Sequence, residues 1–166
     1  MSEYSDIEVA IEDPTCVITL NRPETLNAFT YHTLKELRRA IDSAVADKRV
    51  VGIVITGAGR GFSSGLDAQV LAATTQGGET SSARRGEDEL PGLFSYFLRV
   101  PKPIIAAVNG VAAGGGLVLA LMSDLRIASS SASFITVFLK RGLIAEHGSS
   151  WLLPRLVGTG RALDLL

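Results

Sequence analysis

Pro103–Asp124 reads PIIAAVNGVAAGGGLVLALMSD, and how this stretch folds decides the architecture of the chain. A short apolar run, Ile104–Val108, breaks at Asn109-Gly110. A second, Leu117–Met122, follows three consecutive glycines, Gly114–Gly116. Asn109 is the one strongly polar residue between Ile104 and Met122, so a membrane span of about 20 residues is formally open. Asn-Gly followed by Gly-Gly-Gly argues against it, because such a backbone would leave polar groups poorly paired in lipid. A buried strand, a turn and a buried helix fit better. Glycines at a helix start also leave N–H groups bare and facing outward, a setting suited to an oxyanion. A second N–H donor from elsewhere in the chain would complete such a hole.

The totals frame that reading. A chain of 166 residues fits one domain with a core large enough to need no staples. A hydrophobic share of 46%, a charged share of 20% and seventeen glycines describe a soluble, loop-rich α/β protein. The net charge of −1 and the lack of a basic block argue against a nucleic-acid surface. Cys16 is the single cysteine, read as a buried thiol, so no disulfide forms within the chain. The acidic start MSEYSDIEVA has no apolar signal core, which predicts a cytoplasmic protein. The last residues, RALDLL, stop inside a helical pattern and read as a clipped chain.

Outward from the central stretch, Ile7–Ile11 and Cys16–Leu20 flank Asp13-Pro14 as a β-hairpin. Thr30 is the expected N-cap of a helix over Tyr31–Asp47, with Leu34, Leu37, Ile41, Ala44 and Val45 on its apolar face. Val50–Thr56 is a β-branched buried strand stopped by Gly57, so strand, helix and strand form a right-handed crossover. The glycine-rich loop Gly57–Gln69 follows, with Ser64 and Asp67 as caps for a short helix running to Ala73. Thr74–Glu89 is polar and reads as a surface loop or a lid. Leu90–Val100 is helical in pattern and is stopped by Pro101-Lys102-Pro103. Beyond Asp124 come a strand at Leu125–Ala128, a turn at Ser129–Ser133 and an apolar run of open type at Phe134–Leu139. Gly142–Ser149 is then a loop holding Glu146 and His147. A helix over Trp151–Val157 is interrupted by Pro154, and Thr159 caps a last one.

Several chemistries compete for these loops. Gly61-Phe62-Ser63-Ser64-Gly65 fits the G-x-S-x-G elbow of a serine hydrolase using Ser63. That elbow needs its serine straight off a strand, whereas Ser63 lies seven residues beyond Thr56. Gly57-Ala58-Gly59 lacks the third glycine and the acidic residue of a dinucleotide fingerprint. Two histidines, at 32 and 147, with one cysteine give no metal-ligand cluster. There remain two glycine loops, starting at Gly57 and Asn109, each leaving a buried strand and entering a helix. On neighbouring parallel strands they would bring two N–H donors onto one oxygen.

NRPETLNAF, VITGAGRGFSSGLDA, PKPIIAAVNGVAAGGGLVLALMSDLRIAS and GLIAEHGSSWLLPRLVG together resemble the crotonase family, the enoyl-CoA hydratase/isomerase superfamily. The likeness runs from the first hairpin to the end, and its two glycine signatures are specific in combination. It implies an α/β spiral of strand–strand–helix units, the ClpP/crotonase fold, as a single acyl-CoA-binding domain over 1–166 that is short of the family's C-terminal helices. It implies an acyl-CoA substrate whose enolate is held by the backbone N–H groups of Leu66 and Gly115. Leu26, Ser64, Leu66, Asp67, Ala68, Gln69, Gly114 and Gly115 would bind substrate and coenzyme A, and Arg22 is either a contact to its phosphates or a surface charge. Coenzyme A enters as part of the substrate, so no separate cofactor or metal is implied. A homotrimer or a dimer of trimers is the implied assembly, with no nucleic-acid or membrane partner.

The departures from the pattern matter as much. The two glutamates with which family hydratases activate water align with Val118 and Phe138, neither of which transfers a proton. Glu146 stands where isomerase branches carry an acid, and moving a double bond needs one base used twice. The expected chemistry is therefore proton transfer on an enoyl-CoA by Glu146. An acyl-CoA binder with little or no catalysis is the alternative, and a solvated or helix-capping Glu146 is its plain counterpart. Asp67 and Asp124 read as structural caps.

Overall fold

Alternating burial builds the first strands. The computed structural model describes residues 4–75 and 92–166. Strands β1 (Ile7–Glu12) and β2 (Thr15–Leu20) pair antiparallel, with Glu12 opposite Thr15 across the turn, and Cys16, Ile18 and Leu20 point inward. A 3-10 turn over Pro23–Thr25 leads to helix α1 (Tyr31–Ala46). Thr30 caps that helix reciprocally with Thr33, each hydroxyl accepting from the other's backbone N–H. Leu37, Ile41 and Ala44 bury its inner face while Lys35, Arg38, Arg39 and Asp42 stay exposed. The chain returns as β3 (Gly52–Gly57), parallel to β2, which completes the expected crossover.

The remaining chain repeats one pattern. β3 is followed by β4 (Gly61–Ser63) and helix α2 (Ala68–Thr75). After a 3-10 helix at Ser95–Arg99 come β5 (Ile104–Val108), β6 (Val111–Ala113) and helix α3 (Gly115–Met122). Then follow β7 (Leu125–Ala128), β8 (Ser133–Ile135), a 3-10 turn at Leu139–Arg141, and helices α4 (Ser149–Val157) and α5 (Thr159–Leu165). The first strand of each unit joins a five-stranded sheet of order β1-β2-β3-β5-β7, and the second joins a three-stranded sheet of order β4-β6-β8. All neighbours beyond the first hairpin are parallel, so the chain winds as the expected spiral of strand–strand–helix units. Every residue of α3 is buried, and Val118, Leu119 and Ala120 pack into the main core with Phe29, Phe62 and Phe94.

Several expectations need correction. The membrane reading of the central stretch fails: it divides into β5, β6 and an eight-residue helix, and no helix among the described residues is long and apolar enough to cross a membrane. Gly61–Ser63 and Val111–Ala113, read as parts of loops and turns, are strands too short to show a period of two. The helical pattern ending at Val100 is a 3-10 helix from Ser95, and Leu90 and Pro91 lie outside the described residues, as does 76–89 of the stretch read as a lid. Asp67 does cap α2, accepting from the Gln69 N–H at 3.0 Å, but the Ser64 hydroxyl donates to the Thr25 carbonyl instead. Gly158, not Thr159, is the N-cap of α5. Asp124 caps no helix; its carboxylate accepts from the Ile104 N–H at 2.8 Å and pins the start of β5.

His32 is not isolated either. The ligand atoms of Asp6, His32 and Glu36 lie within 4.8 Å of one another, a grouping hidden by the distance along the chain from residue 6 to helix α1. These groups are already engaged: Glu36 accepts from the N–H groups of Ser5 and Asp6, and Asp6 from the hydroxyl of Thr33. They tie the N-terminal strand to α1.

Candidate active site

Two glycine turns meet, one joining β3 to β4 and the other β5 to β6. Gly57 ends β3 so close to the next turn that a Cβ there would lie 2.3 Å from the Gly61 carbonyl oxygen. Across it, the β5–β6 turn passes so near that a Cβ on Gly110 would lie 2.1 Å from the Arg60 carbonyl oxygen. Two asparagine amides hold the turns together. Asn27 Nδ2 donates to the carbonyls of Ala58 and Gly61, while Asn109 Nδ2 donates to those of Gly59 and Gly61 and its Oδ1 accepts from the Gly57 N–H. Reading the sequence missed both as site-shaping residues. Asn109 was visible only as a turn former, and Asn27 only inside the quoted family stretch.

Beyond β4 the chain passes through Gly65 at φ +93°. The Phe29 N–H donates to the Gly65 carbonyl at 2.7 Å and the Asp67 N–H to the Phe29 carbonyl at 3.0 Å. In that parallel bridge the N–H of the intervening Leu66 faces away from Phe29. The Leu66 nitrogen lies near the start of α3: a Cβ on Gly115 would lie 3.6 Å from it, and one on Gly65 would lie 2.9 Å from the Gly115 nitrogen. Gly115 is the first residue of its helix, where the N–H has no partner four residues back. Among the described residues, neither the Leu66 nor the Gly115 N–H donates a hydrogen bond. A Cβ on Gly116 would stand 2.2 Å from the Ser63 carbonyl oxygen, so the approach of the two turns depends on bare glycine.

Leu66 and Gly115 both line a cavity of about 90 Å³ whose wall also includes Ser64, Gly114, Phe138 and Glu146. His147 and Arg141 are its other charged or titratable lining groups among the described residues. Glu146 is half-buried, and its backbone carbonyl accepts from the N–H and hydroxyl of the fully buried Ser149, which anchors the loop to the first turn of α4. Phe138 on the same wall is 5% exposed; Val118 is fully buried in the core and does not line the cavity.

Other expected site residues stand apart from this wall. Leu26, Asp67, Ala68 and Gln69 do not line the cavity. Ala68 and Gln69 are exposed at the start of α2, and Leu26 packs against Gly61. Asp67 pairs with Arg22 at 3.3 Å, and Arg22 also donates to the Ala28 carbonyl at 2.7 Å, so this arginine is occupied within the fold. Ser63 is fully buried in β4, donating to the Asn27 carbonyl and accepting from the Gly65 N–H. A serine nucleophile at that position has no route to a substrate.

Residues with unpartnered N–H groups and one half-buried carboxylate thus line one cavity, a combination from which proton removal with negative charge developing on an oxygen can be built. The comparisons with known proteins bear on what that oxygen belongs to. The family model described as enoyl-CoA hydratase/isomerase matches residues 10–166. The chain is 43% identical over 153 residues to a "Probable enoyl-CoA hydratase echA12" of Mycobacterium bovis, covering 90% of this chain and 54% of that protein. It is 39% identical over 155 residues to the 1,2-epoxyphenylacetyl-CoA isomerase of Escherichia coli K12, covering 93% and 59%. Among solved structures it superposes on an enoyl-CoA hydratase of Mycobacterium tuberculosis H37Rv with a TM-score of 0.81 at 33% identity, covering 96% of this chain and 60% of that one. The chain thus spans a little over half the length of the curated relatives it matches.

Proposed function

The chain belongs to the enoyl-CoA hydratase/isomerase family, and from that premise we propose that it shifts the double bond of an enoyl-CoA thioester by proton transfer. In this reading the Glu146 carboxylate removes a proton from the α-carbon of a 3-enoyl thioester. The C–H electron pair moves toward the carbonyl, and the resulting oxyanion is received by the N–H groups of Leu66 and Gly115. The same carboxyl then returns the proton to the γ-carbon, the double bond comes to rest beside the thioester, and no water is consumed. Donors held in place before the reaction stabilise such an oxyanion by roughly 3–4 kcal/mol for one donor in the protease case.

The observation that carries the reading is the composition of the cavity wall: Glu146 is its one carboxylate among the described residues. Phe138, on the same wall, stands where the family resemblance implies a hydratase's second glutamate. By the family resemblance, water addition uses a pair of carboxylates to orient and split the water, whereas isomerisation needs one acid–base group used twice. The isomerase named among the relatives points the same way. We extend the reading to assembly as a homotrimer or a dimer of trimers.

The test offers 3-enoyl-CoA and 2-enoyl-CoA separately and follows ultraviolet absorbance of the conjugated thioester with deuterium uptake from heavy water. Conversion of the 3-enoyl substrate is expected, reduced by about 10²–10⁴-fold in Glu146→Gln. Hydration of 2-enoyl-CoA without isomerisation would overturn it, and binding of both without turnover would favour an acyl-CoA-binding protein.

A further inference from the structure

Helix α1 and the segment before β1 bring together three side chains of metal-ligating type that the proposed reaction does not use. One ligand atom from each of Asp6, His32 and Glu36 lies within 4.8 Å of the others, and none of the three residues lines the cavity of the candidate active site. His32 and Glu36 stand one turn apart on the same face of α1, with Nε2 of the imidazole 3.0 Å from Oε1 of the carboxylate. Asp6 reaches them from the residue preceding β1.

Each ligand is oriented by its neighbours and keeps bonding capacity. The Glu36 oxygens accept from the Ser5 and Asp6 N–H groups, one each, both at 2.8 Å. Asp6 is held through Oδ2, which accepts from the hydroxyls of Thr33 at 2.6 Å and Thr30 at 3.3 Å. Its Oδ1 has only the Ser5 hydroxyl, at 3.4 Å, among the described residues. That same hydroxyl is 2.9 Å from His32 Nε2 and 3.4 Å from Glu36 Oε1, so it stands amid one atom from each of the three. A carboxylate oxygen carries two lone pairs, and one N–H bond does not exhaust it. Bonds of this kind are what orient the ligands of a metal site. The charge balance points the same way. Glu36 is 6% exposed and Asp6 half-buried, yet among the described residues no lysine or arginine forms an ion pair with either. Buried carboxylates are paired with a cation or ligate a metal. Here two of them share one imidazole, which in its neutral form offers a lone pair rather than a balancing charge.

We infer that Asp6, His32 and Glu36 form a zinc site that clasps the N-terminal segment onto helix α1. One imidazole nitrogen with two carboxylate oxygens is a set that zinc accepts, water completing the tetrahedron. Bonds of about 2.0–2.2 Å place tetrahedral ligand atoms roughly 3.3–3.6 Å apart. The separations present run from 3.0 Å to no more than 4.8 Å and bracket that spacing, so small side-chain rotations close the site. The ion takes the place the Ser5 hydroxyl fills, and Ser5, an exposed residue, turns to solvent. Magnesium and calcium favour shells built of oxygen and gain less from an imidazole.

The test uses the full chain, stripped of metal with a chelator, and reads binding and stability rather than turnover. Calorimetry at pH 7 is expected to show one zinc site. Tm is expected to rise by about 5–10 °C at zinc a hundredfold above Kd, with no comparable rise in magnesium. The His32 side chain is 61% exposed, so His32→Ala leaves the packing of the helix intact. That variant is expected to bind zinc at least about tenfold more weakly and to lose most of the rise in Tm. Proton NMR needs no variant: the first equivalent of zinc is expected to shift the His32 imidazole resonances and leave those of His147, the other histidine, in place. Zinc affinity unchanged in His32→Ala, a first equivalent that moves His147 instead, or a Tm indifferent to zinc overturns the inference. All three outcomes are independent of whether the cavity turns over an enoyl thioester.

Discussion

At Asn27 a single side-chain amide serves three backbone groups: Oδ1 accepts from the Arg22 N–H at 2.9 Å, and Nδ2 donates to the carbonyls of Ala58 and Gly61. The residue is 1% exposed and takes a left-handed φ of +55°, which asparagine tolerates better than most. Asn27→Asp keeps the shape and the backbone preference but turns both donors into an acceptor facing carbonyl oxygens. Urea denaturation is expected to show a loss of about 2–4 kcal/mol. Ser64→Ala, which removes one bond to the Thr25 carbonyl at the cavity edge, is expected to cost only about 0.5–1.5 kcal/mol. Equal midpoints for the two variants would sink the view that Asn27 clamps the glycine turn. None of this was readable beforehand, since partners 31 and 34 residues away leave no local signature. The glycines were more legible. Runs such as Gly114–Gly116 announce a close backbone approach, and the meeting of two glycine turns could be anticipated from them, while Leu66 and Gly115 as its particular residues came from the family resemblance.

Helix α1 carries an acid-sensitive joint at its N-terminal end. Burial works to raise the Glu36 pKa, but hydrogen bonds from the Ser5 and Asp6 N–H groups, with His32 close by, outweigh it and hold the carboxyl below its ordinary 4.5. A group depressed in the folded state stabilises the fold fully above its unfolded value and loses that contribution as pH falls through the folded one. Thermal unfolding is thus expected to begin losing Tm as pH drops below about 4.5, and Glu36→Gln should flatten that slope while lowering Tm at pH 7. An unchanged acid slope in the variant would show that the joint contributes nothing. At this scale the long elements were legible: α1 shows a helical period, β1 and β2 flank a turn signal, and β3 and the wholly buried α3 are apolar runs bounded by glycine. The second sheet was not. Its three strands have three residues each, buried in β4 and nearly so in β6, and their pairing is determined by turns rather than by any alternation of their own.

Over the whole molecule, β7 and β8 end their respective sheets, and apolar side chains crowd the surface around them. Leu125 and Ile127 share one face of β7 at 57% and 65% exposure, and Phe134, Ile135, Leu139 and Ile144 follow as exposed residues. Apolar area gathered at unpaired edges is the mark of an association surface. Light scattering is expected to give a mass above the 17.5 kDa of one chain, falling toward it in an Ile127→Lys, Ile144→Lys double variant. A monomeric wild type would rule that out. The spiral itself was anticipated through the family resemblance; composition and periodicity alone reached an α/β chain with one crossover and a hint of recurring strand–strand–helix units. The bare contacts of Gly57, Gly110 and Gly116 with facing carbonyl oxygens have a further effect on how such a protein can vary. Every codon one base from a glycine codon is either synonymous, a stop, or specifies a residue with a Cβ, so at these three sites mutation has no small step to offer. A saturation library would find its most barren columns at positions that possess no side chain, while a cavity-lining neighbour such as Leu66 could drift and reshape the cavity.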